Sequence, residues 1–257
     1  MVSNDLNDSC SFTSSWTNYL EAFISYEFRS SRAMMHMETF SMGNVSARSG
    51  SKVYGRLRIG ELHSEIPVNI RFMIINGVKD GPVLLVTAGI SGSGISSIEA
   101  TRRISYLTDP KNLSGTLIVV PIANEPVFLM RERSNILENY ASPIYLFGSF
   151  PGNSEASLTE RIAHSVTKEL ISRADYYVDL HNAAKGGEYE PFVAIYPGIT
   201  PTSLRPKVLE FARSFGTKFI VDAGSQGSIP PKLAGRPQVI AGSKGAPAIM
   251  SQCGEEG

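Results

Sequence analysis

The stretch GPVLLVTAGISGSGISSIEATRRISYL, residues 81–107, decides the fold. Within it, Val83–Thr87 is a continuous apolar run, which predicts a strand buried on both faces. The glycine-rich turn Gly89–Gly94 follows, and apolar residues then recur at helical spacing until Asp109-Pro110 ends the helix. A second apolar run, Thr116–Ile122, completes a strand–helix–strand unit. Such units build parallel sheets with right-handed crossovers, so we predict an α/β fold.

Length and composition limit the classes of protein that the chain can represent. Its 257 residues, 42% of them hydrophobic, predict one main domain, 51–257, after an N-terminal extension, 1–50, that is partly helical or disordered. The 24 basic and 24 acidic residues cancel, which argues against nucleic-acid and membrane partners. Only two cysteines, Cys10 and Cys253, are present, so we expect neither a disulfide framework nor a zinc finger, and a cytoplasmic setting.

Further elements follow from local patterns outside the opening stretch. Ile66–Ile75 alternates before Asn76-Gly77, which predicts a strand entering a hairpin. Residues 123–156 form a long irregular stretch, typical of a binding loop. Ser157 and Glu160 form a capping box at the start of a helix. The strand Tyr176–Leu180 delivers His181 at its carboxyl end, where open parallel sheets bind ligands.

The C-terminal third predicts three more elements and one loop. These are a helix at Ser203–Phe215, a strand at Lys218–Val221, a Gly/Pro-rich loop and a last strand at Ala246–Gln252. The loop carries Lys232, Arg236 and Lys244, which we interpret as solvated basic residues. Cys253 is interpreted as inert packing rather than as a nucleophile.

Five short stretches fall in the order in which one protein family carries them. They are Gly81–Gly89, Gly115–Asn124, Phe150–Gly152, Ser157–Ala163 and Asp179–His181. Through them, residues 50–257 resemble the succinylglutamate desuccinylase and aspartoacylase family, whose members resemble zinc carboxypeptidases and hydrolyse amides between acyl groups and amino acids or related amines. The resemblance implies a three-layer sandwich around a mostly parallel mixed sheet. Because the sequence stops at Gly257, we expect the smaller β-rich C-terminal part of the family to be absent.

The resemblance also implies where a metal would bind. In the family, the turn after the first buried strand reads Gly-x-His-Gly-x-Glu, and its His and Glu bind zinc with the His of Asp-x-His. Here Ser91 stands at the His position and Gly94 at the Glu position, so His181 is the one matching ligand. A neutral hydroxyl is a poor zinc ligand and glycine has no side chain. Zinc is therefore expected for the family, but no cofactor for this chain.

Positions that the family uses for substrate and for catalysis differ as well. Phe147-Gly148 replaces an Asn-Arg pair, and Arg131 or Arg133 matches a further substrate-binding arginine. Gln252 stands where the family has the glutamate that acts as general base on zinc-bound water. An amide cannot accept that proton, so we name no catalytic residue.

Other interpretations of the Gly89–Gly94 turn stay open. Its backbone amides, at a helix N-terminus, can bind an anion without a metal. A nucleophile elbow around Ser91 would need glycine in place of Ser93, and a dinucleotide motif would need glycine in place of Ser97.

We predict a site at the carboxyl ends of the strands, formed by the 89–94 turn, the 123–156 loop, His181 and Gln252. The leading hypothesis is a catalytically inactive homologue that binds a small acylated amine or a protein partner, such as a homologous subunit. The alternative is a metal-dependent deacylase that keeps activity through a rearranged site, and a third hypothesis is a decaying or truncated gene product.

Overall fold

The computed structural model describes residues 38–62, 64–138, 144–183, 187–196, 200–223 and 231–254. Most of the predicted N-terminal extension, residues 1–37, lies outside these ranges. The helices within them are all too short or too polar to span a bilayer.

In the described part of the chain, ten strands form one large sheet and one small hairpin. The strands are β1 (Thr39–Met42), β2 (Val45–Arg48), β3 (Ser51–Glu61), β4 (Pro67–Asn76), β5 (Lys79–Thr87), β6 (Ser114–Val120), β7 (Tyr176–His181), β8 (Phe192–Ile195), β9 (Phe219–Asp222) and β10 (Ala248–Gln252). The large sheet has the order β3-β4-β6-β5-β7-β10-β8-β9, and β1 pairs with β2. Strands β6, β5, β7 and β10 are parallel to one another, β8 is antiparallel to β10, and β3 and β4 are antiparallel to their neighbours.

Helices cover both faces of this sheet. They are α1 (Ile95–Leu107), α2 (Glu125–Met130), α3 (Leu158–Ser165), α4 (Arg205–Ser214), α5 (Pro231–Ala234) and α6 (Pro237–Ser243). Helix α3 continues as a π-helical turn, Val166–Leu170, and a 3-10 turn, Ile171–Arg173. Apolar residues of α1 and α4 form the core on one face, and those of α3, α6 and the β1–β2 hairpin form the core on the other. The predicted three-layer α/β architecture is confirmed.

The strand–helix–strand unit predicted from residues 81–122 is present as β5, α1 and β6. The N-cap bond of the predicted capping box is also present, since the Ser157 Oγ accepts from the backbone N–H of Glu160 at 3.3 Å. The Glu160 carboxylate accepts from the Ser157 hydroxyl at 3.2 Å. These local patterns were sufficient because each contains its own start or stop signal.

The predicted hairpin at Asn76-Gly77 is wrong. Strand β6 lies between β4 and β5, so the two strands that flank this turn do not pair. Asn76 is buried, and its side chain accepts from the Thr116 hydroxyl at 2.8 Å and donates to the Ala47 carbonyl at 3.2 Å. The asparagine therefore joins neighbouring strands, a use of its amide that competes with a two-residue turn.

Two segments predicted as loops contain regular structure. The 123–156 stretch includes α2 and a 3-10 turn at Leu146–Gly148, while residues 139–143 lie outside the described part. The Gly/Pro-rich segment after β9 contains α5 and α6, and α6 begins with Pro237 at its first turn. Proline is suited to that position because its fixed φ is helical and its missing N–H would have no helical acceptor.

The hairpin β1–β2 belongs to the domain although it precedes the expected boundary at residue 51. Phe40, Met42 and Ala47 are buried in the core that covers one face of the sheet. Its two strands are four residues each, too short to give a clear alternating pattern in the sequence.

The Gly89–Gly94 turn is held against α2 by a close backbone contact at Gly92. The Gly92 amide donates to the Glu132 carbonyl at 2.8 Å, and a β-carbon at Gly92 would lie 1.9 Å from the Val127 carbonyl oxygen. We expect Gly92→Ala to lower the free energy of unfolding by about 1–3 kcal/mol, because backbone must move to make room.

Urea unfolding of this variant, with Gly148→Ala as the matched control, checks the expectation. A β-carbon at Gly148 would meet nothing within 4 Å, so the control should change stability by less than about 0.5 kcal/mol. Equal midpoints for Gly92→Ala and the native protein would contradict the contact.

Candidate functional site

A cavity of about 390 Å³ opens at the carboxyl ends of the central parallel strands. Six residues singled out from the sequence line it: Ser91, Gly94, Arg133, Phe147, His181 and Gln252. They come from four segments that are far apart in the chain, and the sheet brings them together because β5, β7 and β10 end at one edge.

Two other predicted residues lie away from this cavity. Arg131 and Gly148 are exposed and are not among the lining residues. Arg131 ends α2 with a left-handed backbone, φ 53°, while Arg133, two residues later, reaches the cavity. The geometry therefore favours Arg133 as the arginine available to a ligand.

His181 is held from behind by a buried carboxylate. Its Nε2 lies 2.5 Å from Oδ2 of Asp179, which is fully buried. The other oxygen, Oδ1, accepts from the Thr87 hydroxyl at 2.7 Å. Gln238 Nε2 approaches Oδ2 at 3.5 Å. The pair resembles the carboxylate–imidazole arrangement that orients metal-binding and catalytic histidines, although that role needs further groups.

Short polar side chains occupy the turn that faces His181. The hydroxyls of Ser91 and Ser93 lie 3.1 Å apart. A β-carbon at Gly94 would lie 3.0 Å from Ser97 Oγ and 3.3 Å from Asn182 Oδ1. The space in front of Gly94 is therefore already filled by neutral polar groups.

Gln252 lies beside His181 in the parallel register of β10 and β7. Its Nε2 donates to the Asn182 carbonyl at 3.4 Å. The side chain thus acts as a hydrogen-bond donor to the neighbouring strand, whereas a general base would have to accept a proton.

Two arginines and three aromatic rings form one side of the cavity. The Arg236 guanidinium lies 4.3 Å above the Phe147 ring and donates to the Tyr196 hydroxyl at 2.9 Å. The Arg133 guanidinium lies 4.6 Å above the Tyr145 ring. The rings of Tyr145 and Phe147 are 5.9 Å apart, and Phe147 meets His181 edge to face at 5.0 Å. Cation–π contacts of this kind position a guanidinium without neutralising its charge.

Both tyrosines of this cluster stay neutral near pH 7. Burial raises the pKa of Tyr145 above its usual value, and the nearby Arg133 only partly opposes that effect. Burial likewise raises the pKa of Tyr196, with Arg236 opposing. Neither hydroxyl therefore supplies a negative charge to balance the arginines.

Arg236 is the functional candidate that the sequence interpretation missed. It was assigned to a solvated loop, but the structure places it at the N-cap of α6, half-buried and lining the cavity. The one local signal was the following Pro237, which predicts a helix start and so a fixed backbone at position 236.

Comparison with known proteins decides the family. The sequence profile of the succinylglutamate desuccinylase/aspartoacylase catalytic domain matches residues 80–239. The chain belongs to this family. The resemblance drawn from five short motifs is confirmed.

The chain is 28% identical over 142 residues to the N-alpha-acetyl-L-2,4-diaminobutyric acid deacetylase of Halomonas elongata, a match covering 55% of this chain and 40% of that protein. The structure of the ectoine utilization protein EutE (DoeB) from Ruegeria pomeroyi superposes with TM-score 0.68 at 22% identity, covering 79% of this chain and 60% of that one. The carboxypeptidase A of Helicoverpa armigera superposes with TM-score 0.54 at 13% identity, covering 78% and 59%. The fold is thus carboxypeptidase-like, and the chain spans less than two thirds of each of these relatives.

The zinc expected for the desuccinylase/aspartoacylase family does not fit the donor set of this cavity. Among the described residues, no three His, Cys, Asp or Glu side chains are grouped to hold a metal. Of the lining residues that the structure describes, His181 is the one strong metal ligand, and its neighbours are hydroxyls and amides. Hydrolytic zinc needs three protein ligands and an open position.

We expect the purified wild-type protein to contain well below one zinc per chain by elemental analysis. The triple variant Ser91→His/Gly94→Glu/Ser97→Ala, in which the last change frees the space beside Gly94, should bind about one zinc, because two new ligands then join His181. Adding His181→Ala to that variant should remove the metal again. One tightly held zinc in the wild-type protein, or a folded restored variant that stays metal-free, would show that these ligand positions are misplaced.

Cys253, one residue beyond β10, is not a reactive thiol. It is buried, and burial raises its pKa to about 12, so little thiolate forms at neutral pH. In a Cys10→Ser background, we expect Cys253 to resist iodoacetamide at pH 8 in the native protein and to react after denaturation. Intact-mass spectrometry follows the reaction, and rapid native alkylation would contradict its burial.

Proposed function

We propose that this chain is a metal-free binding member of the family, which holds a small anionic acylated amine without hydrolysing it through zinc-bound water. The observation that carries the proposal is the charge of the cavity. Among the residues that the structure describes, its lining contains Arg133 and Arg236 and no aspartate or glutamate. Asp179 lies behind His181, fully buried, and its oxygens already accept hydrogen bonds within the protein.

A carboxylate would meet two donors prepared for it. A guanidinium has five N–H groups, and Arg236 uses one of them on the Tyr196 hydroxyl. The remaining groups can bind a carboxylate in a forked geometry, and charge-assisted bonds of this kind are stronger than neutral ones. The cavity volume, about 390 Å³, falls within the usual range for small-ligand sites.

The acylated-amine part of the proposal comes from the relatives. The Halomonas protein is named as a deacetylase of an N-acetylated amino acid. Such a ligand carries a carboxylate and an amide, and the amide can pair with the hydroxyl and amide side chains of Ser91, Ser93 and Gln252, which line the same cavity.

One observation favours the competing function, a deacylase with a rearranged site. The Asp179–His181 pair is kept, and such a pair can orient an imidazole for catalysis. An activity assay distinguishes the binding function from the deacylase. The protein is incubated with N-acetyl-L-2,4-diaminobutyrate, N-acetyl-L-aspartate and N-succinyl-L-glutamate, and amine release is measured before and after chelation. We expect no turnover in either state, and sustained turnover would favour the deacylase.

Arg236→Gln should weaken binding of these three carboxylates at least tenfold, because a hydrogen bond to a charged group contributes about 1.5–3 kcal/mol. Arg236→Lys should retain part of the affinity, since it keeps the charge but loses the fork. Isothermal titration calorimetry provides the dissociation constants, and thermal melting verifies that each variant is folded.

Arg131→Gln is the matched control. It removes the same positive charge as Arg236→Gln but from a residue outside the cavity lining, so affinity should not change. Equal losses for Arg131→Gln and Arg236→Gln would mean that a general surface charge, rather than the cavity, attracts the anion.

A further inference from the structure

The β8–β9 side of the cavity is apolar. Tyr189, Phe192 and Val221 line it, together with Ala194 and Ala223. The rings of Tyr189 and Phe192 meet edge to face at 6.1 Å. Tyr189 is 44% exposed and Val221 is 42% exposed, so this part of the lining presents large apolar groups to the cavity.

Apolar side chains in a ligand cavity favour ligands that bury apolar groups against them. Contact with an apolar ligand group removes surface from water on both partners, which favours binding in proportion to the area covered. A charged ligand group placed on the same surface would lose hydration without gaining a partner. This side therefore discriminates between ligands that share a carboxylate but differ in the rest of the molecule.

Phe192 of the apolar side and Arg236 lie toward opposite ends of β8. Phe192, Ala194 and Tyr196 belong to the core on the cavity face, whereas Val193 and Ile195 pack on the opposite face. Phe192 and Tyr196 are four residues apart on one face, which places their Cα atoms roughly 13 Å from each other. Arg236 donates to the hydroxyl of Tyr196, so its guanidinium lies near the Tyr196 end of this face.

We propose that the ligand is an N-acylated amino acid or related carboxylate that carries an apolar or aromatic group, with its carboxylate at Arg236 and its apolar group on Tyr189, Phe192 and Val221. The inference rests on the proposed function, since it assigns the ligand class of the same cavity. On this assignment, Tyr189 and Val221 determine specificity. Ligands that carry a second carboxylate in place of the apolar group should bind weakly.

Calorimetric titration with three probes tests the assignment. N-acetyl-L-phenylalanine has both features, N-acetyl-L-aspartate has a second carboxylate in place of the ring, and N-acetylphenethylamine has the ring without the carboxylate. We expect the first to bind at least about tenfold more tightly than either of the others, because each of them lacks one of the two contacts.

Two substitutions in one strand provide a matched comparison. Val221→Ser removes a cavity-lining apolar group, while Phe219→Ser removes a group of similar exposure, 44%, that does not line the cavity. Val221→Ser should raise the dissociation constant of N-acetyl-L-phenylalanine about threefold or more and leave that of N-acetyl-L-aspartate unchanged. Phe219→Ser should change neither dissociation constant. Tyr189→Ala should have the same effect on both as Val221→Ser.

The outcomes separate this inference from the proposed function. If N-acetyl-L-aspartate binds as tightly as N-acetyl-L-phenylalanine and Arg236→Gln weakens both, the anion site stands and the apolar assignment is overturned. If no carboxylate probe binds, the proposed function itself fails. Equal effects of Val221→Ser and Phe219→Ser would show that the apolar strip serves another contact, and would likewise overturn the assignment.

Discussion

The buried carboxylate of Asp179 is the constraint on which the geometry of the site depends. It lies at the carboxyl end of β7, opposite Thr87 of β5, and its two oxygens accept from Thr87 and pair with His181. The Thr87 hydroxyl in turn lies 2.9 Å from the Tyr177 hydroxyl, whose pKa is raised by its complete burial. A buried carboxylate is tolerated only when such partners replace water. This network fixes the end of the sheet and the orientation of the imidazole, and all of its members belong to the protein. The scaffold can therefore persist when metal ligands are lost.

The parts of the fold that the sequence predicted correctly are those with local signals. Strand β5 is an apolar run bounded by Gly81-Pro82 and a glycine turn, and α1 has a helical period that Asp109-Pro110 ends. Strand β3, by contrast, is an edge strand with many exposed residues, and β8 is only four residues long. Neither gives a distinct pattern, because their strand conformation is imposed by pairing with β4 and β10. The Asn76-Gly77 error has the same origin, since a long-range bond to Thr116 overrides a local turn preference.

Some residues of the candidate site could likewise be predicted from local signals, and others could not. Motifs were sufficient to place four residues at the site, because each lies at or just beyond the carboxyl end of a predicted strand and the ends of parallel strands meet at one edge. These residues are Ser91, Gly94, His181 and Gln252. Arg236 could not be placed from a motif, because it belongs to a segment whose glycines and prolines predict a loop, and its place follows from the packing of α6 on β7 and β10. The same holds for Tyr189 and Val221, which reach the cavity through the pairing of β8 with its neighbours. Motifs thus identify the positions that match the family's pattern, while the other residues of the cavity require the tertiary structure.

Electrostatics gives a physical reason why such a site can lose catalysis and still attract an anion. In the family, the resemblance implies a zinc dication, one glutamate ligand and one glutamate base, whose formal charges cancel. Here serine, glycine and glutamine stand at the three altered positions, and their formal charges also sum to zero. If the site is metal-free, as proposed, a metal and two carboxylates are absent together, and the arginines then set the charge that a ligand meets. Removing the metal alone would have left two carboxylates facing any anionic ligand, which Coulomb repulsion would exclude from a poorly solvated cavity. In the proposed binding site, neutral groups at both carboxylate positions therefore leave the field of Arg133 and Arg236 available to an anion.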